Sequence, residues 1–175
     1  MPHSPLVISG RIVLTGAVLG SAGALAVPAH ADTLDVALTL PRMSVAEYHK
    51  PYVAIWLEKA GSPARTLSVW YDQGKRNNGG TKWLRDIRTW WRESGRGMQF
   101  PADGVSGATR APGPQRIALP VGTLAPGAYT LVIEAAREAG GREAVRVPFN
   151  WTGGRVSGRA TGQFELGAVN LTVQR

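Results

Sequence analysis

The chain has no cysteine. No disulfide can staple it, and no thiolate can bind a metal or act as a nucleophile. It holds three histidines, and only His49 lies beyond residue 31, so paired imidazole ligands are also excluded. Acidic residues are few, 12 against 20 Lys and Arg, which gives a formal charge of +8. The first of them is Asp32. G-x-S-x-G, H-E-x-x-H and phosphate-loop motifs do not occur. Asp32, Asp35, Asp72, Asp86 and Asp103 show no loop-ligand spacing for a hard cation. Ser106 has no histidine near it in sequence, so a hydrolase triad is not indicated. No stand-alone enzyme is expected.

What is present begins with an export signal. Arg11 precedes an apolar run from Ile12 to Val27, and Ala29-His30-Ala31 supplies the small-residue cleavage pattern. Residues 1–31 therefore read as a secretory signal peptide. The run is too short and too rich in Gly and Ala for a membrane anchor, so no transmembrane segment is expected after its removal. No Arg pair precedes it and no Cys follows it, which favours general secretion without a lipid anchor. Residues 32–175 then have the length of one ordinary domain. A basic chain in the cytosol would suggest nucleic acid. An exported one suggests phosphate-bearing groups or anionic surfaces instead.

Alternation and β-branched residues predict strands at Leu34–Leu40, Tyr52–Glu58, Thr66–Tyr71, Gln115–Leu119, Ala128–Ala136, Ala144–Asn150 and Gln163–Val173. The second and third, joined through Gly61-Ser62-Pro63, form an expected hairpin. The period changes over Thr81–Arg92. There Trp83, Ile87, Trp90 and Trp91 share one helical face and Arg85, Arg88 and Arg92 another, with Thr81 as N-cap. Residues 94–114 read as a long surface loop. Together these give a mainly β fold, an immunoglobulin-like β-sandwich with one short helical insertion. Trp56 and Trp70 are expected in the core, His49 in a solvated loop, and Trp90 and Trp91 chiefly in packing.

One motif carries chemistry. Asp103, Ser106, Gly107, Ala108 and Thr109 match every fixed position of D-x-x-[S/T]-G-A-T. The segment resembles the flavinylation motif of exported proteins that carry FMN covalently on the final threonine. The resemblance implies a separate flavin transferase, which uses FAD and magnesium to place FMN on the Thr109 oxygen, with Asp103 serving recognition. The residue types suit that chemistry. Ser-Gly-Ala has little bulk, Gly-containing turns offer N–H groups to a phosphate, and Arg110 stands next to the acceptor. The competing reading is a plain Gly-rich turn in a cofactor-free binding or scaffolding module.

A second resemblance spans nearly all of residues 35–173. It rests on Pro51-Tyr52-Val53-Ala54-Ile55-Trp56-Leu57-Glu58, Thr66–Tyr71, Trp83-Leu84-Arg85 with Trp90-Trp91-Arg92, Val105 to Pro112, and Glu134–Glu138 with Gly140–Glu143. These segments are similar to the domain of unknown function DUF2271, a family of predicted periplasmic proteins. That likeness implies periplasmic location and an association with flavin transferases and PepSY-type membrane redox proteins. It assigns no catalytic residue. The export signal makes its own prediction: the exported protein should begin at Asp32, as read by N-terminal sequencing or intact mass. Retention of residues 12–27 would contradict it.

Overall fold

A computed structural model describes Met1 and residues 31–175. The expected signal peptide thus lies almost wholly outside the described residues. Nine strands form two sheets. They are β1 (Asp32–Leu40), β2 (Tyr52–Glu58), β3 (Arg65–Tyr71), β4 (Ser106–Ala108), β5 (Gly113–Gly122), β6 (Gly127–Ala136), β7 (Arg142–Trp151), β8 (Val156–Thr161) and β9 (Ala168–Gln174). The four-stranded sheet runs β5-β1-β9-β8 and the five-stranded sheet β4-β3-β2-β6-β7. All pairings are antiparallel except β3 with β4.

Strand sequence explains the layering. In β1, Leu34, Val36, Leu38 and Leu40 alternate with Thr, Asp and Ala, so one face is strongly apolar. Those side chains meet Val53, Ile55 and Leu57 of β2 and Leu131, Ile133 and Ala135 of β6 between the sheets. This is the sandwich that the alternation predicts. β2 and β6 also bury their other face, which is why Tyr52–Leu57 reads as an unbroken apolar run. There Tyr52, Ala54, Trp56, Val132 and Ala136 pack under Leu84, Ile87 and Trp90. The helical insertion is therefore a lid on the centre of the five-stranded sheet. Trp56 and Trp70 are both buried, Trp56 under the lid and Trp70 between the sheets.

The insertion departs from a single helix. Residues 76–86 wind as 3-10 turns, interrupted by left-handed Asn77 and Asn78, and α1 (Arg88–Glu93) follows after a break at Ile87. Asn tolerates that backbone region better than most residues. Thr81 is not an N-cap: its hydroxyl donates to the Asn78 carbonyl, 2.8 Å away. With a three-residue period, the positions turned inward are Leu84, Ile87 and Trp90, while Trp83 and Trp91 are only half-buried. Arg85, Arg88 and Arg92 are exposed as expected.

Glu134 of β6 fixes this lid. It is fully buried, and its carboxylate accepts the backbone N–H of Thr89 at 3.1 Å and of Trp90 at 2.9 Å. Arg142 donates to it at 2.7 Å. α1 has no side-chain cap of its own, so a sheet residue supplies one.

Two further carboxylates act around the β6–β7 turn and the turn between β8 and β9. Gln163–Val173 is not one strand: Gly162–Gly167 turn the chain between β8 and β9. Glu143 holds this turn by accepting the N–H groups of Gln163, Phe164 and Leu166 at 2.6–3.0 Å. A side chain at Gly162 would strike the Leu166 carbonyl, so only glycine fits. Glu165, also buried, takes two hydrogen bonds from Arg137 at 3.1 Å and one from the Gly141 N–H at 2.7 Å.

Glu134→Ala should leave the Thr89 and Trp90 N–H groups without an acceptor. We expect a loss of about 2–4 kcal/mol in urea unfolding, and a smaller loss for Glu134→Gln, which keeps one oxygen. Glu143 gives a pH prediction. Desolvation raises its carboxyl, but the backbone N–H groups of the turn outweigh that and hold it below its ordinary value. Its contribution is therefore complete above the unfolded carboxyl value and lost as pH falls through the lower folded value. Wild type should exceed Glu143→Gln in stability at neutral pH, and the gap should close below about pH 4.

Candidate functional site

Residues 94–114 do not form a free loop. Gly95–Gly97 make a 3-10 turn, and Ser106–Ala108 pair in parallel with Val69–Tyr71 at the edge of the five-stranded sheet. A three-residue Ser-Gly-Ala segment has no apolar alternation to announce it. Its backbone alone makes the strand.

The motif is built into this edge. Ala102 and Ser106 close a turn: the Ala102 carbonyl accepts the N–H of Val105 at 3.2 Å and of Ser106 at 2.9 Å, and the Ser106 hydroxyl accepts the Ala102 N–H at 2.9 Å. Asp103 and Gly104 stand exposed at its tip, Gly104 with a left-handed φ of 69°. Gly107 lies against the Trp70 ring, where an added Cβ would come within 3.2 Å of the indole. Ala108 is exposed, and the Thr109 N–H is held by the Tyr71 carbonyl at 3.2 Å.

Thr109 and Arg110 then part company. The Arg110 guanidinium lies 4.0 Å from the Trp70 ring centroid and reaches the Arg116 carbonyl at 3.3 Å. Burial lowers its pKa. Thr109 instead lines a cleft of about 470 Å³ with Tyr48, Lys50, Tyr52, Asp72, Lys75 and Glu138. Asp103 and Ser106 do not line it, and the cations that do are lysines from two other segments. His49, expected in a solvated loop, is half-buried, lines the same cleft, and stands 3.2 Å from Glu47.

Sequence reading overlooked this company because nothing marks it locally. Lys50 and the two tyrosines flank Pro51, and Lys75 sits in a polar Gly/Asn-rich stretch. Only the β2–β3 hairpin and β4 bring them to one place. Tyr52 is buried, and its hydroxyl has no well-formed hydrogen bond. Burial raises its pKa, and contact with the Asp72 backbone offsets that only in part. Tyr48 is raised too, by burial first and by Glu165, against the lowering influence of Arg137 above its ring.

A second cleft adjoins the first. Of about 460 Å³, it lies between the insertion and the β6–β7 turn, walled by Trp83, Asp86, Arg88, Gly140 and Arg142. Glu138 lines both clefts, and its ion pair with Lys75, at 3.4 Å and partly exposed, stands between them. Trp90, expected chiefly in packing, is fully buried, and its indole N–H donates to Thr66 at 2.9 Å.

The family model for predicted periplasmic proteins, DUF2271, matches residues 33–168. The chain belongs to this family. The match runs from β1 to the start of β9 and takes in the five-stranded sheet, the lid and the two clefts, and the family's description places the protein in the periplasm, where an exported chain belongs. No curated protein and no solved structure matches it. Among the described residues, no helix is long and apolar enough to cross a membrane.

Proposed function

We propose that this DUF2271 member is a periplasmic redox carrier with FMN esterified to Thr109, exchanging electrons with a membrane redox protein of the PepSY type. The observation that carries the reading is that Thr109 opens into a ligand-sized cleft bearing Lys50, Lys75 and Tyr52. In the modification, the threonine oxygen bonds to the phosphorus of the FMN half of FAD. The pyrophosphate bond breaks, AMP leaves, and the hydroxyl proton passes to the transferase or water. The exposed Asp103–Gly104 tip offers the transferase a handle beside the acceptor.

The residues present fit a phosphoester. Lys50 and Lys75 supply the positive charge, Lys75 by leaving Glu138, with Asp72 on the same wall, and the buried Tyr52 hydroxyl, against the Asp72 backbone, has no well-formed hydrogen bond. Arg110, committed to Trp70, holds the strand that carries the acceptor. Bound FMN would supply one- and two-electron chemistry at moderate potential, while the chain tethers it and sets its surroundings.

The cofactor-free binding or scaffolding module draws support from a different observation. Each motif residue except Asp103 already has a structural role at the sheet edge. Co-expression with a flavin transferase in an exported form separates the two readings. Wild type should gain one FMN in intact mass and fluoresce on a denaturing gel. Thr109→Ala should lose the adduct with its unfolding midpoint little changed, and Ser106→Ala should label at reduced yield. Unlabelled wild type beside a labelled control would favour the cofactor-free module.

A further inference from the structure

The two adjoining clefts share a peculiarity. Buried polar side chains normally find partners. Among the described residues only three buried side-chain polar atoms lack one: the Tyr52 hydroxyl, the Trp83 indole N–H and the Trp151 indole N–H. Tyr52 lines the Thr109 cleft and Trp83 the cleft next to it. Trp151 belongs to the core between the sheets. Two of the three unmade hydrogen bonds therefore sit along one trough.

What closes that trough is movable. Lys75 reaches from the Thr109 cleft to Glu138, and its ammonium lies 5.7 Å from the Trp83 ring centroid. Lys82 lies over the same ring at 4.8 Å. Both are long, flexible side chains, and the partly exposed Lys75–Glu138 pair is worth little in water. An anion fixed at Thr109 would compete with Glu138 for Lys75. Moving Lys75 aside frees Glu138, the residue the two clefts share, and leaves Lys82 as the cation nearest the Trp83 ring, whose indole N–H is unpaired. The exposed Arg88 stands nearby, with no ion pair among the described residues. That set suits a planar aromatic with carbonyl acceptors along one edge and the capacity to take up negative charge.

We propose that the Trp83 cleft seats the ring system of the flavin, with Lys75 turning from Glu138 to the phosphoester. The assignment rests on the FMN reading of Thr109 and goes beyond it in naming where the ring lies and which residue moves. Trp83 acts as a binding and positioning residue. Arg88 offers donors to the carbonyl edge of the ring, beside Asp86 on the same wall.

The full chain, co-expressed with the transferase as wild type, Trp83→Phe and Trp91→Phe, tests this. Intact mass first counts the FMN carried. In labelled wild type, indole contact should hold flavin emission several-fold below that of the same sample unfolded in guanidinium. Acrylamide should quench the native flavin several-fold less efficiently than the unfolded one. Trp83→Phe should label equally but recover most of the emission, while Trp91→Phe should behave as wild type. The acrylamide comparison needs no variant, so it stands even if Trp83→Phe does not fold. A labelled wild type whose flavin is as bright and as open to acrylamide native as unfolded would overturn the ring placement and leave the Thr109 linkage intact. Equal dimness in labelled Trp83→Phe and wild type would overturn the role of Trp83. Wild type that stays unlabelled beside a labelled control would overturn both this assignment and the FMN reading.

Discussion

A carboxylate shut away from water in the five-stranded sheet is what the helical insertion hangs on. A bare Glu134 would be costly to bury, yet two backbone N–H groups and Arg142 satisfy it. Its bonds set where α1 begins. The lid thereby covers Tyr52, Ala54 and Trp56 and places Trp83 opposite the β6–β7 turn. Lys75 enters the 3-10 segment that leads into this lid. The walls of both clefts thus depend on one buried charge. A hydrophobic residue at 134 could pack in the same layer, but it could not point a helix.

The other ion pairs divide the work. Arg137 and Glu165 join the end of β6 to the turn between β8 and β9, out of water, while Glu143 gathers the N–H groups of that turn. With no cysteine available, these carboxylates do the cross-linking that disulfides do in many exported domains. Their reach is long in sequence and short in space. Asp32, the first residue of β1, is of the same kind: buried, it accepts the Leu124 N–H and a bond from Arg175.

Much of this fold was legible in the sequence, and the reason is periodicity. β1 and β7 alternate cleanly, and β2 and β6 announce burial on both faces by unbroken apolar runs. Where the signal failed, the physical cause is plain. β8 reads Val-Ser-Gly-Arg-Ala-Thr, with too little apolar surface to stand out, and its pairing comes from β9. The insertion winds less regularly than its pattern predicts, because 3.6 and 3.0 residues per turn select different inward positions, Leu84 among them. The motif at 103–109 could be read as a pattern, but its surroundings could not. Lys50, Lys75 and Tyr52 reach Thr109 only through strand pairing, which local sequence does not encode.

The parallel strand β4 has a kinetic meaning as well as a static one. It holds three residues, and it sits at an edge with one neighbour. Local openings cost least where few contacts must break, and edge segments of this size open far more often than the sheet behind them. Arg110 on Trp70 and the Ser106 turn make such an opening hinge-like, with a fastening on either side of Gly107-Ala108-Thr109. An opening there breaks one three-residue parallel ladder and leaves the antiparallel pairing of β3 with β2 behind it intact. Under the FMN reading proposed above, the acceptor Thr109 directly follows the segment of the sheet that opens at least cost.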